Sequence, residues 1–285
     1  MIRAASSPDQ PIPDLRIIPT GMLLHHELHD EQRATPLIRH LKRDKFLKNP
    51  PVVVEAGSRD NRFVILDGAN RVVALDVLGI GHVLVQVVPY SEPHVRLETW
   101  YHAISGISTE AWIGRLEEIS GLESRVTSIF HARALLAART ILGYYITPDG
   151  TVSTLVGGGL DLHERTRLLQ EVVDTYINVA RLNRTNTDNI EQLLALYAGM
   201  SSTIVFPKYD PVEVIDLAQS GLKVPPGITR HIIDGRALRV NYPLEYLTAD
   251  VSLQEKNRML EAWVLKRFEE RKVRFYAEAT YLFDE

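Results

Sequence analysis

Cysteine is absent from the 285 residues. That excludes a disulfide framework, a thiolate metal site and a cysteine nucleophile. The absence is compatible with a cytosolic protein, and a cytoplasmic location is the expectation. There is no long hydrophobic run. The most apolar stretch, Val72 to Val88, is broken by Asp76, Gly79, Gly81, His82 and Gln86, whereas a spanning helix needs about 20 mostly apolar residues in a row. The N-terminus carries Asp9 and Asp14 and lacks an apolar signal core. Positive charge is not in excess either. Lys plus Arg is 32 against 36 for Asp plus Glu, a formal net charge of -4, which excludes a broadly basic nucleic-acid binder. Several nucleotide and hydrolase signatures are missing, among them GxGxxG, GxSxG and the kinase HRD and DFG pair. The glycines at 157–159 are not followed by Gly-Lys-Ser/Thr, so they do not form a Walker loop.

What is present is an ordinary soluble composition, 45% hydrophobic. The length suffices for one large core or two domains. Residues up to about Gly21, with Pro11, Pro13 and Pro19, read as an extended leader. Thr35-Pro36 reads as a helix start, a capping hydroxyl followed by proline at the first helical position. The helix that follows, to about Leu47, has a basic face of the kind that is commonly just solvated. Pro51 to Glu55 and Arg62 to Leu66 read as strands joined by a hairpin turn over 57–61. Ala69 to Leu78 reads as a helix closed by Gly79, and Val83 to Val88 as a buried strand. Further along, helices are expected over 110–119, 162–180, 190–198, 211–219 and 253–270. Ala132 to Val156 is expected to hold two or three strands with a turn at 148–150. Short strands are expected at 202–206 and at 273–282. A boundary is expected near residue 105.

Three constellations could carry chemistry. In Phe63-Val-Ile-Leu-Asp67-Gly68-Ala69-Asn70-Arg71 an apolar strand runs into Asp-Gly and then a helix. A helix N-terminus offers unpaired amides and the positive end of its dipole, so it suits a phosphate. Gly68 permits close backbone approach, and Arg71 in the first turn could grip phosphate oxygens. The plainer alternative is that Asp67 caps the helix and Arg71 is solvated. If a phosphate does lie beside Asp67, the two negative groups require a cation between them, and magnesium is the usual one. The second constellation is His25-His26-Glu27-Leu28-His29. It lacks the zincin spacing and a third ligand, so zinc is not expected; Glu27 could serve as a general base or simply start a surface helix. The third is Thr229-Arg230-His231 after Pro225-Pro-Gly227. Hydroxyl, guanidinium and imidazole there suit an anion, or form an ordinary exposed turn. Trp100-Tyr101-His102 could line a pocket or belong to the core.

Taken together, His26-Glu27, Asn49 to Val54 and Val64 to Gly79 resemble the N-terminal ParB/sulfiredoxin-like domain, over roughly the first 100 residues. Within that superfamily the pattern looks closest to the free L-serine kinases, including the siderophore-cluster type. These carry a histidine-glutamate pair, a DG-x-x-R nucleotide element and a threonine-arginine-histidine element, as at Glu27, Asp67 to Arg71 and Thr229 to His231. Sulfiredoxins use a cysteine at this turn, which the chain lacks. ParB proteins have consecutive arginines there, where this chain has one.

The resemblance implies an α+β protein, with a ParB/sulfiredoxin-like nucleotide-binding domain over 1–105 and a mixed α/β substrate-binding domain over 106–285. It implies a kinase that phosphorylates free L-serine from ATP or ADP, giving O-phospho-L-serine for siderophore or cysteine biosynthesis. Gly68, Ala69, Asn70 and Arg71 would hold the nucleotide, and Asp67 a magnesium ion. Glu27 would take the proton of the substrate hydroxyl. Thr229, Arg230 and His231 would hold the phosphate or the amino-acid carboxylate, with Trp100 walling the serine pocket. Many relatives have histidine where this chain has Ala69-Asn70. The alternative is a ParB-like, nucleotide-dependent DNA-binding regulator; for the kinase, DNA is at most a secondary ligand.

Overall fold

The computed structural model describes residues 12–28, 31–58, 60–157, 159 and 161–276. It divides into two compact units. One comprises residues up to Leu24, His29–Arg96 and Ile233 onward; the other comprises His25–Leu28 and Leu97–Ile232.

The first stretch runs β1 (Asp14–Pro19), β2 (Leu23–His25), α1 (Glu31–Asp44), β3 (Phe46–Leu47), β4 (Val52–Gly57), β5 (Asp60–Asp67), α2 (Ala69–Val77) and β6 (His82–Val87). Five of these strands form one sheet in the order β1-β6-β4-β5-β2. Val52, Val53 and Val54 are all buried, as are Phe63 to Leu66. Unbroken apolar runs suit strands covered on both faces, so the expected β4–β5 hairpin forms, antiparallel with Val53 opposite Ile65. The helix expected after Leu66 also forms, and Gly79 takes the left-handed conformation at its end, with φ +70°.

Two expectations change here. The expected leader is in part an edge strand, because Asp14 to Pro19 pairs antiparallel with His82 to Val87; Met1 to Pro11 lie outside the described residues. Helix α1 does not start at Thr35 but runs from Glu31, with Pro36 inside it. A proline there forgoes one backbone bond, a loss that packing of Leu37, Ile38 and Leu41 in the core offsets.

The chain continues through β7 (Val95–Thr99), β8 (Tyr101–Ser105), α3 (Thr109–Glu117), β9 (Leu122–Thr127), α4 (Ile129–Ala137), β10 (Gly143–Ile146), β11 (Val152–Gly157), α5 (Leu162–Asp174), β12 (Arg181–Thr185), α6 (Ile190–Leu196), β13 (Met200–Val205), α7 (Pro211–Ser220) and β14 (Thr229–Ile233). A six-stranded sheet, in the order β12-β8-β13-β10-β11-β9, is antiparallel throughout. The turn at 148–150 closes the β10–β11 hairpin, with Gly150 at φ +85°. Residues 132–137, expected as strand, are instead the end of α4. Ala and Leu there are strong helix formers, and the Ser128 hydroxyl caps the helix by accepting from the His131 amide at 3.3 Å. The helix expected over 162–180 ends at Asp174.

After Ile232 the chain returns to the first unit as β15 (Tyr242–Pro243), α8 (Leu244–Thr248) and α9 (Leu253–Glu269). A single cut near residue 105 therefore does not describe the chain. The reason is burial: Tyr242, Leu244, Leu247, Leu260 and Val264 share a core with Ile17, Ile65 and Leu75. Asn257 also accepts from the Ile17 amide at 2.9 Å and donates to the Ile17 carbonyl at 2.9 Å. It thereby satisfies backbone groups on the open side of edge strand β1. The strand expected at 273–282 is not seen over 273–276, and its remainder lies outside the described residues. No described helix is long and apolar enough to cross a membrane.

Candidate functional site

The first unit places Asp67 at the end of β5, and Gly68 as the N-cap of α2 at φ +92°. No side chain caps that helix, so the start of α2 keeps a bare, electropositive end. A Cβ on Gly68 would stand 2.9 Å from the Arg71 guanidinium, in a backbone conformation that L-residues rarely adopt.

Neither half of the plain alternative holds. Asp67 is not the cap, and Arg71 is not solvated. Its guanidinium turns back to donate to the Asn49 carbonyl at 2.7 Å and to Asp67 Oδ2 at 2.6 Å. Burial pulls its pKa below the ordinary value, with Asp67 opposing. Ala69 packs against the core, so at this position only the backbone is available to a ligand. Asn70 occupies the first turn of α2.

Sequence reasoning missed Arg236, whose guanidinium also donates to Asp67 Oδ2. It is brought there by Gln86, buried in β6, which accepts from the Ala237 amide at 2.8 Å and donates to the Gly235 carbonyl at 3.0 Å. A buried glutamine within an apolar strand is the signal that could have been read. Two guanidinia therefore neutralise the Asp67 carboxylate from within the chain.

Among the described residues, no group of three or more His, Cys, Asp or Glu side chains could hold a metal ion. Magnesium held by one carboxylate and phosphate oxygens needs no such cage. Both guanidinia bind Oδ2 of Asp67, so Oδ1 is the oxygen that fits that role.

The second unit holds Glu27, in a parallel bridge to Val224. Both carboxylate oxygens are fixed. The Gly227 amide donates to Oε1 at 2.7 Å, and the Thr229 hydroxyl to Oε2 at 2.6 Å. Thr229 has one proton, which goes to Glu27, so His26 Nε2, 3.0 Å from Thr229 Oγ1, is the donor in that pair. His26 meets His231 edge to face at 5.2 Å. Arg230 lies 4.2 Å over the Trp100 ring and 3.5 Å from Glu98. Glu27, Trp100, Thr229, Arg230 and His231 are thus together in one unit, as Asp67 to Arg71 are in the other. His29, part of the rejected zinc pattern, lies outside the described residues.

Gly227 also links Glu27 to His102, fully buried on β8. Its Nε2 is 2.9 Å from the Gly227 carbonyl and must donate, so its Nδ1 accepts from the Tyr176 hydroxyl at 2.6 Å. Burial lowers its pKa to about 4. Between pH 6.5 and 4 the unfolded imidazole is protonated and the folded one is not. Stability is therefore fully present above about pH 6.5 and falls by up to about 3 kcal/mol as the pH drops through that window. The expected result is a denaturation midpoint that declines on acidification in the wild type and less steeply in His102→Gln. Parallel pH profiles for the two proteins would place the effect elsewhere.

No family model matches the chain. It is 24% identical over 276 residues to the ATP-dependent L-serine kinase SbnI of Staphylococcus aureus, covering 95% of this chain and 97% of that protein. It is 24% identical over 238 residues to an ATP-dependent L-serine kinase of Staphylothermus marinus, covering 81% of this chain and 90% of that one. A C-terminally truncated SbnI from Staphylococcus aureus shares the fold, with a TM-score of 0.71 at 21% identity over 89% of this chain and 97% of that one. A free serine kinase solved in complex with AMP also shares it, with a TM-score of 0.68 at 19% identity over 84% of this chain and 98% of that one.

Proposed function

We propose that the chain is an ATP-dependent L-serine kinase, moving the γ-phosphoryl group of ATP to the serine hydroxyl to give O-phospho-L-serine and ADP. The observation that carries this reading is the Glu27 carboxylate, held on one oxygen by the Gly227 amide and on the other by the Thr229 hydroxyl. A carboxylate so fixed can still accept a proton, as a general base must, and both named relatives matched along most of their length are L-serine kinases. The first unit takes the ParB/sulfiredoxin-like role and the second receives the amino acid.

In the first unit the phosphates lie at the open start of α2, against the backbone of Gly68 to Arg71 and the side chain of Asn70. Arg71 holds Asp67 against the Asn49 loop, and Arg236 adds positive charge. Asp67 Oδ1 would hold magnesium, which when bound neutralises charge on the phosphates. In the second unit Glu27 takes the hydroxyl proton as the serine oxygen attacks phosphorus and the bond to the ADP oxygen breaks; the proton then leaves to water. Trp100, Thr229, Arg230 and His231 surround the amino acid or the phosphoryl group. Phosphoryl transfer asks mainly for positioning and charge neutralisation, which this set supplies.

The test is incubation of the protein with magnesium, ATP and L-serine, with product read as O-phosphoserine and ADP run in parallel as donor. Serine-dependent product with ATP is expected. Nucleotide consumption without phosphoserine, together with salt-sensitive binding of labelled DNA, would favour the regulator instead.

A further inference from the structure

We infer that Arg184, on β12, is the anchor for the carboxylate of the amino-acid substrate; this rests on the serine-kinase reading. Two guanidinia stand near the residues that hold Glu27, and they differ in how they are engaged. Arg230 is taken up by Glu98 and the Trp100 ring. The Arg184 side chain makes no hydrogen bond among the described residues, and its Nε is buried without a partner. Among the described residues the carboxylate within 4 Å of it is that of Glu27, with Oε1 at 3.9 Å, beyond hydrogen-bond reach. Nε itself is enclosed against Gly227, but the side chain keeps 33% of its surface exposed, so its terminal nitrogens are the ones a ligand can reach, and a guanidinium suits a carboxylate in particular.

The surroundings are built to admit this side chain. Gly227, at φ +81°, lies against the guanidinium, and a Cβ there would stand 2.5 Å from Arg184 Nε. The same glycine donates its amide to Glu27 and offers its carbonyl to His102. Arg184 sits directly opposite His102 in the β12–β8 register. One connected group of residues therefore positions both the proposed base and the cation, 3.9 Å apart. L-Serine carries its hydroxyl and its carboxylate on neighbouring carbons. With the hydroxyl on Glu27, the carboxylate falls within reach of a cation at that spacing. Sequence alone gave no sign of Arg184, since it lies in a short polar strand with no motif.

The test compares L-serine with ethanolamine, which has the hydroxyl and the ammonium but no carboxylate. In the wild type L-serine should be strongly preferred. Arg184→Gln should raise the KM for L-serine about 50-fold or more, with kcat within about threefold, and should leave ethanolamine almost unaffected, so the preference collapses. Arg184→Lys should fall between them. Equal losses on both substrates would mean that Arg184 acts on Glu27 or on the fold, and would overturn the assignment. As a check that needs no variant, L-serine methyl ester should bind the wild-type protein at least about 50-fold more weakly than L-serine by calorimetry; equal binding would also overturn it. Wild-type protein that makes no phosphoserine at all removes the kinase reading itself, a result distinct from either of these.

Discussion

Glu27→Gln is expected to fold, to bind nucleotide as the wild type does, and to lose turnover by about two to four orders of magnitude. The glutamine keeps the shape and one acceptor for the Gly227 amide, and the Thr229 hydroxyl can reverse to accept from the new amide nitrogen. The stability cost should therefore stay at about 1 kcal/mol. What is lost is the negative, proton-accepting oxygen that the proposed mechanism uses to take the serine proton during attack. Single-turnover phosphoserine formation, beside nucleotide binding by calorimetry, separates these effects. A variant with full activity would remove Glu27 from the role of base.

Asp67→Ala should be damaging twice over. Arg71 exposes only 18% of its side chain and would lose its carboxylate while keeping the Asn49 carbonyl. Arg236 beside it would then face it as a like charge. Breaking such a partly buried pair should cost about 2–3 kcal/mol, seen as a lower denaturant midpoint. Activity should fall by about two to three orders of magnitude, because the proposed phosphate site loses both its ordered turn and the carboxylate proposed to hold magnesium. A magnesium titration unchanged from the wild type would refute the metal role and leave the structural one standing.

The strand-to-helix join at Leu66 to Arg71 could be read from the sequence because everything that shapes it is local. An apolar run makes the buried strand, a glycine takes the left-handed turn, and helix formers follow. The residues that complete it could not be read. Arg236 reaches Asp67 from far along the chain, delivered by Gln86, which in the sequence looked only like an interruption of an apolar run. In the same way, Glu27 stood out through its histidines, whereas its fixed geometry comes from Gly227 and Thr229. Residues 132–137 are helix where a strand is expected, because the apolar run containing them does not by itself separate a strand from a short helix. The Ser128 cap settles that choice.

By itself, the sequence determined the local grammar: the central hairpin, the glycine-capped helices, and the absence of thiol and spanning-helix chemistry. Only the tertiary structure decided which charges meet, that the C-terminal helices return to the first unit's core, and that Arg71 is bound inward. Backbone preference acts over a few neighbouring residues and so can be read in order along the chain. Charge pairing and burial depend on distance in space, which chain order does not record.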